Sequence, residues 1–114
     1  MNIEINDDFY DTLRLLYAER GRLKQLQNNY SKGLAIIEKE QMRVADDDFN
    51  RQVSKRLSVQ LQTREARSSA PYKQVVKKLG VVEHRLVIVE GEIDIMNKRF
   101  DHYRTMAADR RAYG

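Results

Sequence analysis

The chain contains no cysteine and no tryptophan, and it has one proline and five glycines in 114 residues. Without cysteine it can form no disulfide, no thiolate metal site and no thiol nucleophile. Aromatic residues make up only 8% of the chain, whereas charged residues make up 33%. This balance is typical of long solvated helices rather than of a sheet-based globule, and the length allows one domain at most.

Long apolar segments are also missing. No stretch approaches the roughly 20 apolar residues that cross a bilayer, and the N-terminal sequence MNIEINDDFY is acidic where a signal peptide is basic. The chain has no glycine-rich phosphate loop and no nucleophile elbow, and His84 and His102 lie too far apart to share a metal. We therefore expect a cytoplasmic protein that is not an enzyme, with no membrane contact, no cofactor and no metal.

A heptad pattern runs through the first part of the chain. Alternating steps of four and three from Phe9 to Val44 reach eleven positions, of which eight are apolar. Such a repeat keeps one stripe of a helix against a partner helix. Capping and acidic side chains at residues 6–8 suit a helix start. We predict a helix over about 7–46, ended by the acidic turn 46–48. The polar interruptions of the stripe are Arg20, Gln27 and Gln41.

A second heptad pattern follows after a break. The same stepping from Tyr72 to Ala107 reaches eleven positions, and all of them are apolar. The serines at 68–69 can cap this helix, and Pro71 suits its first turn. We predict a second helix over about 71–111.

The two predicted helices match in length and in pattern, which favours an antiparallel hairpin within one helical domain over residues 1–114. Val87, Ile88 and Ile95 lie off the second stripe and widen its apolar face. A single hairpin cannot easily cover this added surface, so we expect a homo-oligomer.

The sequence does not decide whether the connecting segment, residues 50–68, is a strand, a helix or disordered. Alternate residues from Leu57 to Leu61 are apolar, which favours a β-strand over 56–63 that pairs with a strand of another subunit. The same segment also fits a short helix, because apolar residues recur at every fourth position from Phe49 to Leu61. We favour the strand.

Charge is distributed unevenly along the chain. Residues 1–50 carry 7 Lys and Arg against 10 Asp and Glu, a net of −3, whereas residues 51–114 carry 14 against 7, a net of +7. A basic half indicates a polyanion or an acidic surface as partner, with a basic surface kept for solubility as the alternative.

The connecting segment contains a basic cluster, opposed only by Glu65, within 17 residues. Its members are Arg51, Lys55, Arg56, Arg64 and Arg67. Serine, threonine and glutamine surround them, and these side chains donate to phosphates without reading bases. In the strand, Arg56, Ser58 and Gln60 would share one polar face. We therefore predict that the basic cluster binds nucleic-acid phosphates.

A second group of cations, Lys98, Arg99, Arg104, Arg110 and Arg111, ends the chain. Its members spread around the predicted helix, and the helix dipole favours cations at a C-terminus in any case. Whether this group contacts nucleic acid is left open.

From Ser54 onward, a basic segment, SKRLSVQLQTREARSSAPYKQVVKKL, precedes an apolar-striped helix that ends in IDIMNKRFDHYRTMAADRRAYG. In this order of features, residues 54–114 resemble the UvsY family of phage recombination mediators. The Lys98-Arg99 region and the closing Arg110-Arg111 and Gly114 are similar to the family's usual finish. The first half of the chain is similar in helical character only.

The resemblance implies a homo-oligomer that binds single-stranded DNA without strong sequence preference in a phage-infected cell. Such a protein helps a RecA-like recombinase assemble on DNA covered by a single-strand DNA-binding protein. The family's DNA-binding stretch, of the form Lys-x-Arg-Leu, has its nearest counterpart in Lys55-Arg56-Leu57, which lacks the intervening residue. The alternatives need no nucleic acid: a prefoldin-like chaperone hairpin, a coiled-coil scaffold, or a helical adaptor for an acidic protein.

Overall fold

The computed structural model describes residues 5–113, and residues 1–4 and Gly114 lie outside the description. This part of the chain forms three α-helices: α1 (Asp7–Val53), α2 (Val59–Ser68) and α3 (Ala70–Tyr113). It contains no β-strand within the described range. The prediction of a mainly α-helical protein is therefore confirmed. Gly114, which contributes to the family resemblance, is outside the described residues.

The chain divides into two compact units. Unit 1 comprises Met1–Lys24 with His84–Gly114, and unit 2 comprises Gln25–Glu83. The helices α1 and α3 each contribute to both units, whereas α2 belongs to unit 2 alone. Among the described residues, no helix is long and apolar enough to cross a bilayer.

In unit 1, the first part of α1 lies antiparallel to the second part of α3, as the matched stripes predicted. The Asn97 amide donates to the Tyr17 hydroxyl at 3.3 Å, and the Lys24 ammonium lies 4.0 Å from the Glu90 carboxylate. Residue numbers thus rise along one helix as they fall along the other. Near the start of α1, the rings of Tyr10 and Phe100 meet edge to face, with centroids 6.4 Å apart.

The two heptad stripes form the core of unit 1. Its buried side chains are Leu16, Leu23, Leu86, Val89, Ile93 and Met96, all of which are stripe positions. Burying a side chain of this size contributes about 1.5–3 kcal/mol, so these residues account for most of the packing energy of the unit. Arg20 interrupts the stripe, and its guanidinium lies 5.2 Å from the centroid of the Tyr17 ring. The aromatic face thus gives the polar stripe residue a partner.

In unit 2, α2 packs against the end of α1. Ala66 of α2 is fully buried, and the Thr63 hydroxyl lies 3.9 Å from the sulfur of Met42. Stripe residues of α1 such as Leu34 and Ile37 are only half-buried here. Ala66 and Val82 are the two buried side chains among the described residues of this unit, compared with six in unit 1. Unit 2 therefore has the shallower core.

The predicted strand over 56–63 is wrong, and the alternative short helix is what the chain forms. A single strand leaves its backbone groups without partners, whereas a helix satisfies most of them internally. The Ser58 hydroxyl accepts from the Leu61 amide at 3.3 Å and caps the first turn of α2. The small side chain of Ala66 then allows α2 to approach α1 closely.

The acidic run at 46–48 does not end the first helix, which is a second correction. Aspartate lowers helix stability by only about 0.7 kcal/mol relative to alanine, and packing readily offsets such a cost. Here α1 continues to Val53 and ends where Ser54 adopts a left-handed conformation, with φ of 58°. The start of the third helix agrees with the sequence: Ser69 caps α3 by accepting from the Tyr72 amide at 3.4 Å.

Candidate nucleic-acid interface

The predicted phosphate-binding residues all lie in unit 2, on α1, on α2 and in the joint between these helices, residues 54–58. Their side chains are exposed, and they are Arg51 near the end of α1, Lys55 and Arg56 in the joint, and Arg64 and Arg67 on α2. Asp46 of α1 holds the joint in place, because its carboxylate accepts a hydrogen bond from the Leu57 amide at 2.8 Å. The cluster is spread along α2 and the end of α1, since Arg67 contacts Glu38 and Arg51 contacts Asp48, ten residues apart on α1.

Three members of the basic cluster are paired with carboxylates of α1. The ion pairs are Arg51 with Asp48 at 2.7 Å, Arg56 with Asp46 at 3.7 Å, and Arg67 with Glu38 at 3.1 Å. Lys55 and Arg64 form no ion pair within the described part of the chain. The cluster therefore contains two kinds of cation, and only Lys55 and Arg64 are free of carboxylate partners there.

The polar residues of the connecting segment, which were predicted to donate to phosphates, make other hydrogen bonds in the structure. Because α2 is a helix, Arg56, Ser58 and Gln60 do not form the alternating face of a strand. Several of the expected phosphate donors instead bond to the local backbone: Gln62 donates to the Leu57 carbonyl at 2.7 Å, Thr63 to Val59 at 3.0 Å and Ser68 to Arg64 at 2.9 Å. These side chains bond within α2 and its first turn, which leaves the cations as the side chains available to a phosphate.

Folding redistributes the charge of the two sequence halves. Unit 1 carries 10 Lys and Arg against 10 Asp and Glu, a net of zero, and unit 2 carries 11 against 7, a net of +4. The whole excess of the chain thus belongs to unit 2. Within residues 38–67, however, 7 cations face 6 anions. Most of the excess in unit 2 lies outside the predicted cluster.

Further candidates for phosphate binding, which the sequence-based prediction did not include, are lysines at the start of α3. Lys73, Lys77 and Lys78 are all exposed, and they belong to the basic unit. Lys73 and Lys77 are four residues apart and share one face of the helix. Their spacing is visible in the sequence, but they lie beyond the connecting segment, on the helix that the apolar stripe predicts.

Two open grooves separate α1 from α2, with volumes of about 270 and 240 Å³. They share Ala45, Asp48 and Glu65, and Leu57 and Leu61 line the larger one. The carboxylates of Asp48 and Glu65 would repel a phosphate, so neither groove is suited to bind one.

The C-terminal cations lie in the electroneutral unit 1. Lys98 pairs with Asp94 at 3.0 Å, and the Arg104 guanidinium lies 5.8 Å from the centroid of the Phe100 ring. Arg111 donates to the Ala107 carbonyl at 3.4 Å, as a cation near a helix end is expected to do. Arg99 and Arg110 form no ion pair within the described residues, so this group also contains both partnered and unpartnered cations. It is the weaker candidate for contact with a polyanion because unit 1 carries no net charge.

Unit 1 also contains the ion pair with the best geometry. Arg85 donates to both carboxylate oxygens of Glu19, at 2.8 and 3.3 Å. These hydrogen bonds from Arg85 lower the pKa of Glu19 below its ordinary value of 4.5. The pair joins α1 to α3 at the surface and has a structural role.

Buried polar side chains and groups of metal ligands are absent from the residues that the structure describes. The chain buries no polar or charged side chain there, and it holds no group of three or more histidine or acidic residues suited to a metal. No protein-family model, no curated protein and no solved structure matches this chain. The charges and contacts of the two units are therefore the basis for a proposed function.

Proposed function

We propose that this chain is a single-stranded DNA-binding recombination mediator, similar to the UvsY family, that helps load a RecA-like recombinase. The observation that supports it is the concentration of the net charge of +4 in unit 2, beside an electroneutral unit 1. A surface of this kind attracts phosphates by releasing their counterions. The recombinase and the single-strand DNA-binding protein are the proposed protein partners.

In this proposal, Lys55 and Arg64 make the first phosphate contacts, because carboxylates do not occupy them. Lys73 and Lys77 add contacts from the start of α3. Tyr72 is half-buried at the beginning of the apolar stripe, so it serves packing rather than base stacking. With phosphate contacts and no aromatic platform, binding is expected to tolerate any sequence, as a mediator requires.

Self-association is the second part of the proposal. In unit 1, large apolar side chains are exposed: Leu15 at 71%, Val87 at 70%, Ile88 at 38% and Ile95 at 52%. Further copies of the chain would cover part of this surface. Several weak sites on one assembly then bind a strand far more tightly than one site does.

The test is the binding of a labelled single-stranded oligonucleotide, measured by fluorescence anisotropy. We expect Lys55→Ala/Arg64→Ala to weaken binding by tenfold or more and to reduce the salt slope by about 0.7 for each cation removed. The control is Arg14→Ala/Arg22→Ala, which removes the same charge from exposed residues of unit 1 that belong to neither basic group. An equal loss in both variants would show that net charge alone, and not a site, governs binding.

A coiled-coil scaffold or chaperone hairpin is the second candidate function. The near-neutral charge of residues 38–67 and the exposed apolar side chains of unit 1 favour it. Self-association without any binding of single-stranded DNA at low salt would select this candidate. Capture of an unfolded client protein would then select the chaperone over the scaffold.

A further inference from the structure

The basic cluster of unit 2 is partly occupied by the chain's own carboxylates. Arg67 on α2 donates to Glu38 on α1 at 3.1 Å, across 29 residues of sequence. Arg51 pairs with Asp48 at 2.7 Å within the last turns of α1. Both arginines belong to the set expected to bind phosphates, so a carboxylate stands where a phosphate would bind.

We propose that Glu38 and Asp48 form an electrostatic latch that competes with single-stranded DNA for Arg67 and Arg51. Resting on the function proposed above, this inference assigns that same site a built-in regulation. The strand first contacts Lys55 and Arg64, and the latched arginines join when phosphates displace the carboxylates.

The exposure of the pairs allows this exchange. The side chains of Arg51 and Arg67 are 77% and 60% exposed, and those of their acceptors Asp48 and Glu38 are 57% and 25% exposed. A phosphate therefore reaches both arginines from solvent, and the Glu38 carboxylate is the more sheltered of the two acceptors. Exposed ion pairs are weak, and arginine binds phosphate with the same forked geometry that it uses for carboxylate.

Asp46 is not part of the latch. Its carboxylate is only 17% exposed, and it accepts the backbone amide of Leu57 besides lying 3.7 Å from Arg56. Loss of that contact would leave a partly buried backbone donor without an acceptor. Asp46 therefore positions the joint, whereas Glu38 and Asp48 only pair with side chains.

The chain supplies matched controls for the latch on the same helix. Glu40 lies two residues from Glu38, and Asp47 lies next to Asp48. Both controls are exposed, and neither forms an ion pair within the described range. The variants Glu38→Gln/Asp48→Asn and Glu40→Gln/Asp47→Asn therefore remove equal charge from one helix and differ in whether an arginine is freed.

The experiment measures the affinity of wild type and both double variants for a labelled oligo-dT strand, across a range of salt concentrations. We expect Glu38→Gln/Asp48→Asn to bind more tightly than its control, by about 1.5- to 5-fold for each pair. Its salt slope should be steeper by about 0.7 for each arginine that joins the contact. Circular dichroism verifies that each variant keeps its helices.

A second comparison tests whether the gain in affinity for the strand depends on Arg51 and Arg67. In an Arg51→Ala/Arg67→Ala background, Glu38→Gln/Asp48→Asn should gain no more affinity than Glu40→Gln/Asp47→Asn does. If wild type binds but the latch and control variants gain equally, the latch is refuted and the proposed function stands. If no variant binds the strand at low salt, the proposed function and the latch are both refuted.

Discussion

At the scale of the residue, Asp46 shows how one carboxylate determines the connection between two helices. It lies in a run of three aspartates, yet of the three only its side chain accepts a backbone amide, that of Leu57 at 2.8 Å. The neighbouring Asp47 is exposed and Asp48 bonds within its own helix. The three identical residues thus have three different roles, which their positions around the helix impose.

Removal of the Asp46 carboxylate should destabilise the fold. We expect Asp46→Ala to lower the free energy of unfolding by about 1–2 kcal/mol, because the partly buried Leu57 amide loses its acceptor. Asp46→Asn should cost less, since the amide oxygen still accepts. Urea denaturation measures both, with Asp47→Ala as the control, which should change stability by less than about 0.5 kcal/mol. Equal effects of Asp46→Ala and Asp47→Ala would contradict this role.

The Glu19–Arg85 pair predicts a pH dependence. Hydrogen bonds from Arg85 lower the pKa of Glu19 in the folded chain below its ordinary value of 4.5. A lowered folded-state pKa stabilises the fold above pH 4.5, and the stabilisation is lost as the pH falls through the folded value. Wild type should therefore exceed Glu19→Gln in stability at pH 7, and the two should converge in acid. A difference that persists unchanged below pH 4 would contradict the assignment.

At the scale of the element, the long helices follow from sequence because their pattern repeats over many turns. Eleven stripe positions in each helix make the heptad repeat unambiguous, and in unit 1 the stripe residues are the buried ones. The connection could not be predicted in this way. Over Leu57 to Leu61 the apolar residues fit both a strand and a helix, and the contact that decides joins Asp46 to Leu57, eleven residues apart. No local periodicity encodes such a contact.

The stripe also predicts which leucines of α1 matter for stability. Leu23 is 3% exposed and Leu15 is 71% exposed. We expect Leu23→Ala to cost about 2–4 kcal/mol, because it leaves a cavity between α1 and α3. Leu15→Ala should cost less than about 0.5 kcal/mol in a single chain. Denaturation of dilute samples measures both, and similar costs for the two variants would contradict the stripe as the core.

At the scale of the whole molecule, the distribution of net charge along the sequence differs from its distribution between the two units. The acidic first half and basic second half suggest a polar division of the chain at residue 50. In the fold, residues 1–24 and 84–114, with net charges of −1 and +1, form the neutral unit 1, whereas residues 25–83 form unit 2 and carry the excess of +4. The basic cluster was found from sequence, but its carboxylate partners depend on the fold.

The proposed function therefore depends on unit 2 acting as a polyanion-binding surface. The most direct test is the anisotropy of a labelled oligo-dT strand titrated with wild-type chain at low and at moderate salt. We expect binding at low salt that weakens as salt rises. The logarithm of the binding constant should fall with the logarithm of the salt concentration at a slope of about −1.4 or steeper, since Lys55 and Arg64 supply two phosphate contacts. Absence of binding at low salt, or binding that is indifferent to salt, would contradict it.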